Sequence, residues 1–139
     1  MKLKGWEHFE HRADIGIRGF GESPAEAFEQ CALAMMAIVT DLSLIDTREL
    51  IEISCEESDP ELLLVDWLNA VIFEVATRKM LFGRFEVSIK DGSLKGRLWG
   101  EPIDVERHHP AVEVKGATYT ELALYERAHQ WIAQCIVDV

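Results

Sequence analysis

Between residues 8 and 21 the chain reads HFEHRADIGIRGFG. Ile15 and Ile17 alternate with Gly16 and Arg18, and Gly19 and Gly21 punctuate the exit. Period-two alternation bounded by glycine predicts a half-buried strand, the first of the chain. Asp14 lies inside this run, and His8, His11, Glu7 and Glu10 crowd its entry. An aspartate at the start of a core strand is costly to bury unless it meets a partner.

The period then changes to that of a helix. Ser23-Pro24-Ala25-Glu26 is a capping box, with serine at the N-cap and proline at the first helical position. Phe28, Cys31, Ala32, Met35, Met36 and Val39 follow at helical spacing, so the helix runs to about Val39. The methionine pair reads as core packing. Residues 50–55, LIEISC, alternate again and predict a second strand. Asp59-Pro60 starts a second helix with Asp59 as N-cap. It is expected over residues 62–80, apolar on most sides and central to the core. Asp66 and Asn69 interrupt it on one face, either as a satisfied structural pair or in support of a functional site.

Residues 85–99 predict a hairpin about the two-residue turn Asp91-Gly92. That register pairs Ile89 with Leu94, Val87 with Gly96 and Phe85 with Leu98. It also sets Glu86 opposite Arg97, a favourable cross-strand pair. Residues 100–110, GEPIDVERHHP, read as a polar loop. Its His108 and His109, with Asp104 and Glu106, invite a metal reading. Adjacent histidines point different ways, however, and solvated loop histidines are the simpler account. Residues 112–117 alternate as a further strand carrying Lys115. Leu122 and Leu124, then Trp131, Ala133, Cys135 and Val137, form a last hairpin about Arg127-Ala128, its second strand reaching the C-terminus.

Composition narrows the function classes. A chain of 139 residues with 48% hydrophobic content makes one domain, residues 1–139, with a real core. The net charge of −11 is spread along the chain. Such a surface repels phosphates, which argues against autonomous nucleic-acid binding and for cations or a basic protein surface as partners, or simply for solubility. The cysteines, Cys31, Cys55 and Cys135, are odd in number and lack CxxC or Cys/His zinc spacing. They are expected as buried free thiols in a reducing compartment. No signal-peptide pattern and no apolar run near the roughly 20 residues of a membrane helix is present, so a cytoplasmic protein is expected.

The last two residues carry candidate chemistry. Asp138 and Val139 place a side-chain carboxylate and the terminal α-carboxylate one residue apart. If the last strand neighbours the first, Asp14 brings a third carboxylate to the same spot. Like charges so gathered call for a cation, and oxygen-only ligands suit Ca²⁺, Mg²⁺ or Mn²⁺. A frayed acidic end is the alternative.

Motifs along nearly the whole chain resemble those of the archease family. His11-Arg12-Ala13-Asp14-Ile15-Gly16-Ile17 is similar to the family's H-T-A-D-[IV]-G-[IV]. Leu63-Leu64-Val65-Asp66-Trp67-Leu68-Asn69 resembles L-L-x-[DE]-[WF]-L-N, and Gly100-Glu101-Pro102-Ile103-Asp104 resembles G-E-x-x-D. Val114-Lys115-Gly116-Ala117-Thr118-Tyr119-Thr120 stands for V-K-A-x-T-Y-H, and Asp138-Val139 for the terminal D-[IVL]. Arg12, Gly116 and Thr120 depart from the pattern. Thr120 puts in doubt any partner contact made by the family histidine.

The resemblance implies an α+β fold, two helices packed on a mixed, mostly antiparallel β-sheet. It implies a non-catalytic protein cofactor of the GTP-dependent RNA-splicing ligase, which joins RNA ends in tRNA splicing and RNA repair. Archeases speed guanylylation of that ligase and permit repeated turnovers, touching RNA only indirectly. The implied metal ligands are Asp14, Asp138 and Val139, holding a divalent cation, Ca²⁺ first and Mg²⁺ or Mn²⁺ as alternatives. His11, Lys115 and Asp66 are candidates for support of the site or for partner contact. Two rival readings are a stand-alone metal-dependent phosphoesterase, with His11 as the only obvious base, and a chaperone-like modulator of a tRNA-modifying enzyme.

Overall fold

The structure is a computed structural model describing residues 4–139. The alternation at residues 8–21 belongs to two strands, not one. β1 (Gly5–His11) enters the turn Arg12-Ala13, and β2 (Asp14–Gly21) returns antiparallel, with Phe9 opposite Gly16 and His11 opposite Asp14. The reversal carries no glycine, asparagine or proline. Arg12 itself takes the left-handed φ of 55°, so residue type did not signal the turn. Asp14 therefore opens a strand at one end of a sheet.

Helix α1 (Pro24–Val39) starts as the capping box predicts. Ser23 Oγ accepts the Glu26 N–H at 3.2 Å, while the Glu26 carboxylate reaches back to the Glu22 N–H at 3.1 Å, one residue before the one expected. The helix rests directly on β2. A Cβ on Gly19 would stand 2.3 Å from the Ala27 carbonyl oxygen, so only glycine permits this approach.

Strand β3 (Glu49–Glu56) leads to helix α2 (Pro60–Arg78), whose N-cap Asp59 accepts the N–H of Glu61 at 2.9 Å. Lys79 caps the far end in a left-handed conformation, so Met80 begins a strand instead of ending the helix. One face of α2 is core, including Leu64, Trp67, Leu68 and Val71. The expectation of apolar burial on most sides was too strong, since Phe73 is 64% exposed and Asp66 and Asn69 face solvent. Trp67 Nε1 donates to the Phe28 carbonyl of α1 at 3.0 Å, and its ring meets Phe85 edge-on.

β4 (Met80–Lys90) and β5 (Ser93–Pro102) form the predicted hairpin in the predicted register, lengthened at both far ends and bulged near Gly83. Asp91 and Gly92 take the positive φ values that a primed turn requires. A four-residue helix α3 (Val105–His108) follows. Of the strand expected over residues 112–117, only β6 (Gly116–Ala117) is paired. β7 (Ala123–Arg127) and β8 (Gln130–Asp138) make the last hairpin, turning on Ala128 and His129 in left-handed conformations.

The strands form two antiparallel sheets, one ordered β1-β2-β8-β6 with β7 also on β8, the other β3-β5-β4. Helix α1 packs on β2 and β8 of the first and on β4 of the second. The result is the predicted α+β arrangement, with the sheet divided in two and every pairing antiparallel. Among the described residues no helix is long and apolar enough to cross a membrane.

Candidate functional site

The first hairpin and the last strand are neighbours. In the β2–β8 pairing Ile15 lies opposite Val137 and Ile17 opposite Cys135. One step further along that register sets Asp14 opposite Asp138. Asp14 also faces His11 on β1, and Asp138 faces Gly116 on β6. His11, Asp14, Asp138 and Gly116 thus form one row across four strands at the end of the sheet. Directly opposed residues share a face, here the face away from buried Ile17, Cys135 and Val137.

Like charges directly opposite are destabilising. Among the described residues neither Asp14 nor Asp138 makes an ion pair. Arg18 lies on the same face of β2, about 13 Å along the strand by its rise per residue. It is committed to Glu7 and, through Nε at 2.8 Å, to Gln134, and it stacks over Phe9. The opposed carboxylates are therefore an uncompensated oxygen-donor pair, the donor type that a hard cation takes. His11 does not close a three-ligand cluster with them; no three His, Cys, Asp or Glu side chains converge in that way among the described residues. Val139 packs against the core beside this row.

Lys115 borders the row. Its backbone N–H donates to the Asp138 carbonyl at 2.7 Å, and its side chain is exposed without an ion pair among the described residues. The neighbouring strand is pinned by a residue whose role was left open in the sequence. Asn69 Oδ1 accepts the Ala117 N–H at 2.9 Å and its Nδ2 donates to the Ala117 carbonyl at 3.5 Å. The amide thus makes both bonds of a missing strand partner. Asn69 and Asp66 make no mutual hydrogen bond, and Asp66 lies by Cys55 of β3, where its charge adds to burial in raising the thiol's pKa. Asp66 does not join the carboxylate row.

The segment 100–110 holds a second polar cluster that hydrophobic patterning did not reveal. Glu101 and His108 are each 1% exposed, where solvated loop residues were expected. Glu101 accepts bonds from Arg107, Arg48 and the Asp46 N–H at 2.6 Å, and meets His108 Nε2 at 2.9 Å. The Arg107 bond chiefly holds its carboxyl down at about 2, against the opposing effect of burial. Asp104 caps α3 by accepting the Glu106 and Arg107 N–H groups. Thr40 Oγ1 donates to the His108 carbonyl, tying this cluster to the end of α1. Each Glu101 oxygen takes two bonds from within the chain, so the cluster is a structural lock; His109 is exposed beyond it.

The three cysteines are free. Burial pushes the Cys135 thiol up to about 12 and the Cys31 thiol upward as well, which leaves both poor nucleophiles.

The Archease protein family matches residues 6–139. Protein archease of Pyrococcus furiosus is 38% identical over 142 residues, covering 99% of this chain and all of that protein. The solution structure of Methanobacterium thermoautotrophicum protein 1598 superposes with a TM-score of 0.85 at 34% identity, covering 97% of this chain and 99% of the other. The crystal structure of a Thermotoga maritima archease, described as a possible chaperone, shares the fold with a TM-score of 0.63 at 19% identity, covering 96% of each chain. The chain belongs to the archease family.

Proposed function

We propose that this protein is a non-catalytic, cation-binding activator of the GTP-dependent RNA-splicing ligase, promoting guanylylation and repeated turnover in tRNA splicing and RNA repair. The observation that supports it most is the β2–β8 register, which carries Asp14 to a place opposite Asp138 beside the chain end. In this reading Asp14, Asp138 and the terminal carboxylate of Val139 hold one divalent cation, Ca²⁺ first, with Mg²⁺ or Mn²⁺ as alternatives. The cation supplies positive charge that joins the first hairpin to the last strand. The tip then docks at the metal-bearing, basic mouth of the ligase, Lys115 and His11 flanking the contact and RNA being touched only by the ligase. The acidity of the chain, −11 overall, favours such a basic partner over RNA itself.

The test is single-turnover formation of the ligase–GMP adduct with wild-type protein, Asp14→Ala and Asp138→Ala. Stimulation by wild type and its loss in both variants is the expected outcome. Undiminished stimulation by either variant, with its fold intact, overturns the reading.

A second reading is a chaperone-like modulator of a tRNA-modifying enzyme such as a methyltransferase; the Thermotoga maritima archease is described only as a possible chaperone. Recovery of a methyltransferase without ligase on the immobilised protein would favour it. Turnover of phosphoesters by the isolated protein with Mn²⁺ would instead favour a stand-alone hydrolase.

A further inference from the structure

Residues 112–115 read V-E-V-K, an alternation that encodes a strand, yet residues 112–114 are unpaired in the fold. No helical turn or bend interrupts residues 110–115, which follow the left-handed cap His109 of α3. The segment's backbone is hydrogen-bonded at its ends, by the Ala111 N–H on the Val39 carbonyl at 2.8 Å and the Lys115 N–H on the Asp138 carbonyl at 2.7 Å, and the Val114 side chain packs into the core between them. Among the described residues Val112, Glu113 and Val114 make no backbone hydrogen bond. Three consecutive unpaired peptide groups with strand-forming side chains are the edge on which another strand adds.

The segment also walls a groove of about 600 Å³ between α1 and α2. The groove floor is apolar, formed by Met35, Met36, Ile72, Val75 and Leu81, the two methionines and Leu81 being core residues at most 2% exposed. Val112 at its rim is 43% exposed. Two lysines, Lys79 and Lys115, stand on the same rim without an ion pair among the described residues. In a chain with 25 acidic and 14 basic residues, the charged residues lining this groove are two lysines and one glutamate, Glu113, so its rim is more basic than the chain as a whole.

We propose that residues 112–114 are half of a strand pair, completed by an extended segment of a partner protein whose alternating apolar side chains enter the groove and whose carboxylate pairs with Lys79 or Lys115. Main-chain bonds to the free peptide groups supply affinity, and the apolar floor and the lysines select the sequence. This docking mode does not use the carboxylates at the tip, so Val112→Pro tests it separately from ligase activation through Asp14, Lys115 alone being shared by the two readings.

The probe is a fluorescein-labelled octapeptide alternating valine with threonine and carrying one central aspartate, read by anisotropy and by amide hydrogen exchange. Saturable binding is expected, with slowed exchange at residues 112–114. Val112→Pro removes an N–H that has no partner within the chain, so it blocks pairing without taking a bond from the fold. It is expected to abolish binding. Lys79→Glu, and asparagine in place of the peptide's aspartate, are each expected to weaken it about fivefold, the size of an exposed ion pair. No binding, or binding untouched by both protein variants, overturns the proposal. So does protection of residues 112–114 that grows with protein concentration without peptide, since a second copy would then be the occupant.

Discussion

His108 accepts the backbone N–H of Asp104 on Nδ1 at 2.9 Å and meets the buried Glu101 carboxylate through Nε2 at the same distance. An N–H aimed at Nδ1 leaves that nitrogen without a proton, so the network assigns the proton to Nε2 and makes the ring a neutral donor to Glu101. The imidazole thus clamps the end of β5 to α3 within four residues of its own cap.

Glu101 makes the protein acid-sensitive with a definite sign. Its carboxyl is held at about 2, below its ordinary 4.5, chiefly by Arg107 and further by the Asp46 N–H and His108. A depressed carboxyl contributes stability that is full above the ordinary value and is lost as pH falls from 4.5 towards 2. Glu101→Gln keeps an acceptor but loses the charge, and is expected to cost about 2–3 kcal/mol at pH 7, as charge-assisted bonds do. In urea denaturation its deficit relative to wild type shrinks as pH is lowered from 5 to 2.5. A constant deficit across that range contradicts the role given to the charge.

Glu29 carries the opposite sign. It bridges α1 to β4 by accepting the Val87 N–H at 2.8 Å, and burial raises its pKa above the ordinary value. A raised carboxyl stabilises the fold fully below its ordinary pKa, and that contribution is lost as pH rises through the raised one. Glu29→Gln keeps an oxygen for Val87 and removes the buried charge. At pH 7 it is expected to raise stability and with it the melting temperature. The gain vanishes by pH 4 in calorimetric scans; a loss at pH 7 would show that the charge itself holds the bridge.

How much of this was legible in the sequence depended on where a local signal carried the structure. Asp91-Gly92 names its own turn, and the flanking alternation admits one register, so Glu86 opposite Arg97 followed directly. Ser23-Pro24 and Asp59-Pro60 likewise marked both helix starts. Arg12-Ala13 and Ala128-His129 use left-handed residues that nothing in their type announces; the first reversal was missed, and the second was placed only by the alternation on either side of it. Glu101 and His108 looked like loop residues because their burial depends on Arg107, Arg48 and Asp46 closing over them, partners up to 55 positions away. The pairing of Asp14 and Asp138 was conditional in the sequence, since adjacency of first and last strands is a matter of topology that period-two patterning cannot supply.

Gly96 tests how tightly α2 sits on the second sheet. A Cβ there would lie 2.3 Å from Cζ3 of Trp67, and Trp67 is held by its bond to Phe28. Gly96→Ala must therefore displace the indole, an overpacking that costs about 1–3 kcal/mol. Loss of near-ultraviolet circular dichroism and a red-shifted tryptophan spectrum are expected to accompany the lower urea midpoint. In a Trp67→Phe background the same substitution costs less, because the smaller ring leaves room; equal costs in both backgrounds would place the clash elsewhere.

Asp14 and Asp138 face one another without a cationic side chain to separate them, and this yields an inversion that depends on free cation. With chelator present, Asp14→Asn removes one of two opposed charges and is expected to melt at or above the wild-type temperature. With Ca²⁺ added, wild type gains stability by mass action, about 2.7 kcal/mol once the ion reaches a hundred times its dissociation constant. Asp14→Asn gains little, because a neutral amide replaces an ionised ligand, so the order of melting temperatures reverses. Asp138→Asn behaves in the same way, while Asp66→Asn, set apart from the row beside Cys55, tracks wild type in both conditions. If the two row variants respond to Ca²⁺ as fully as wild type does, the opposed carboxylates do not hold the ion.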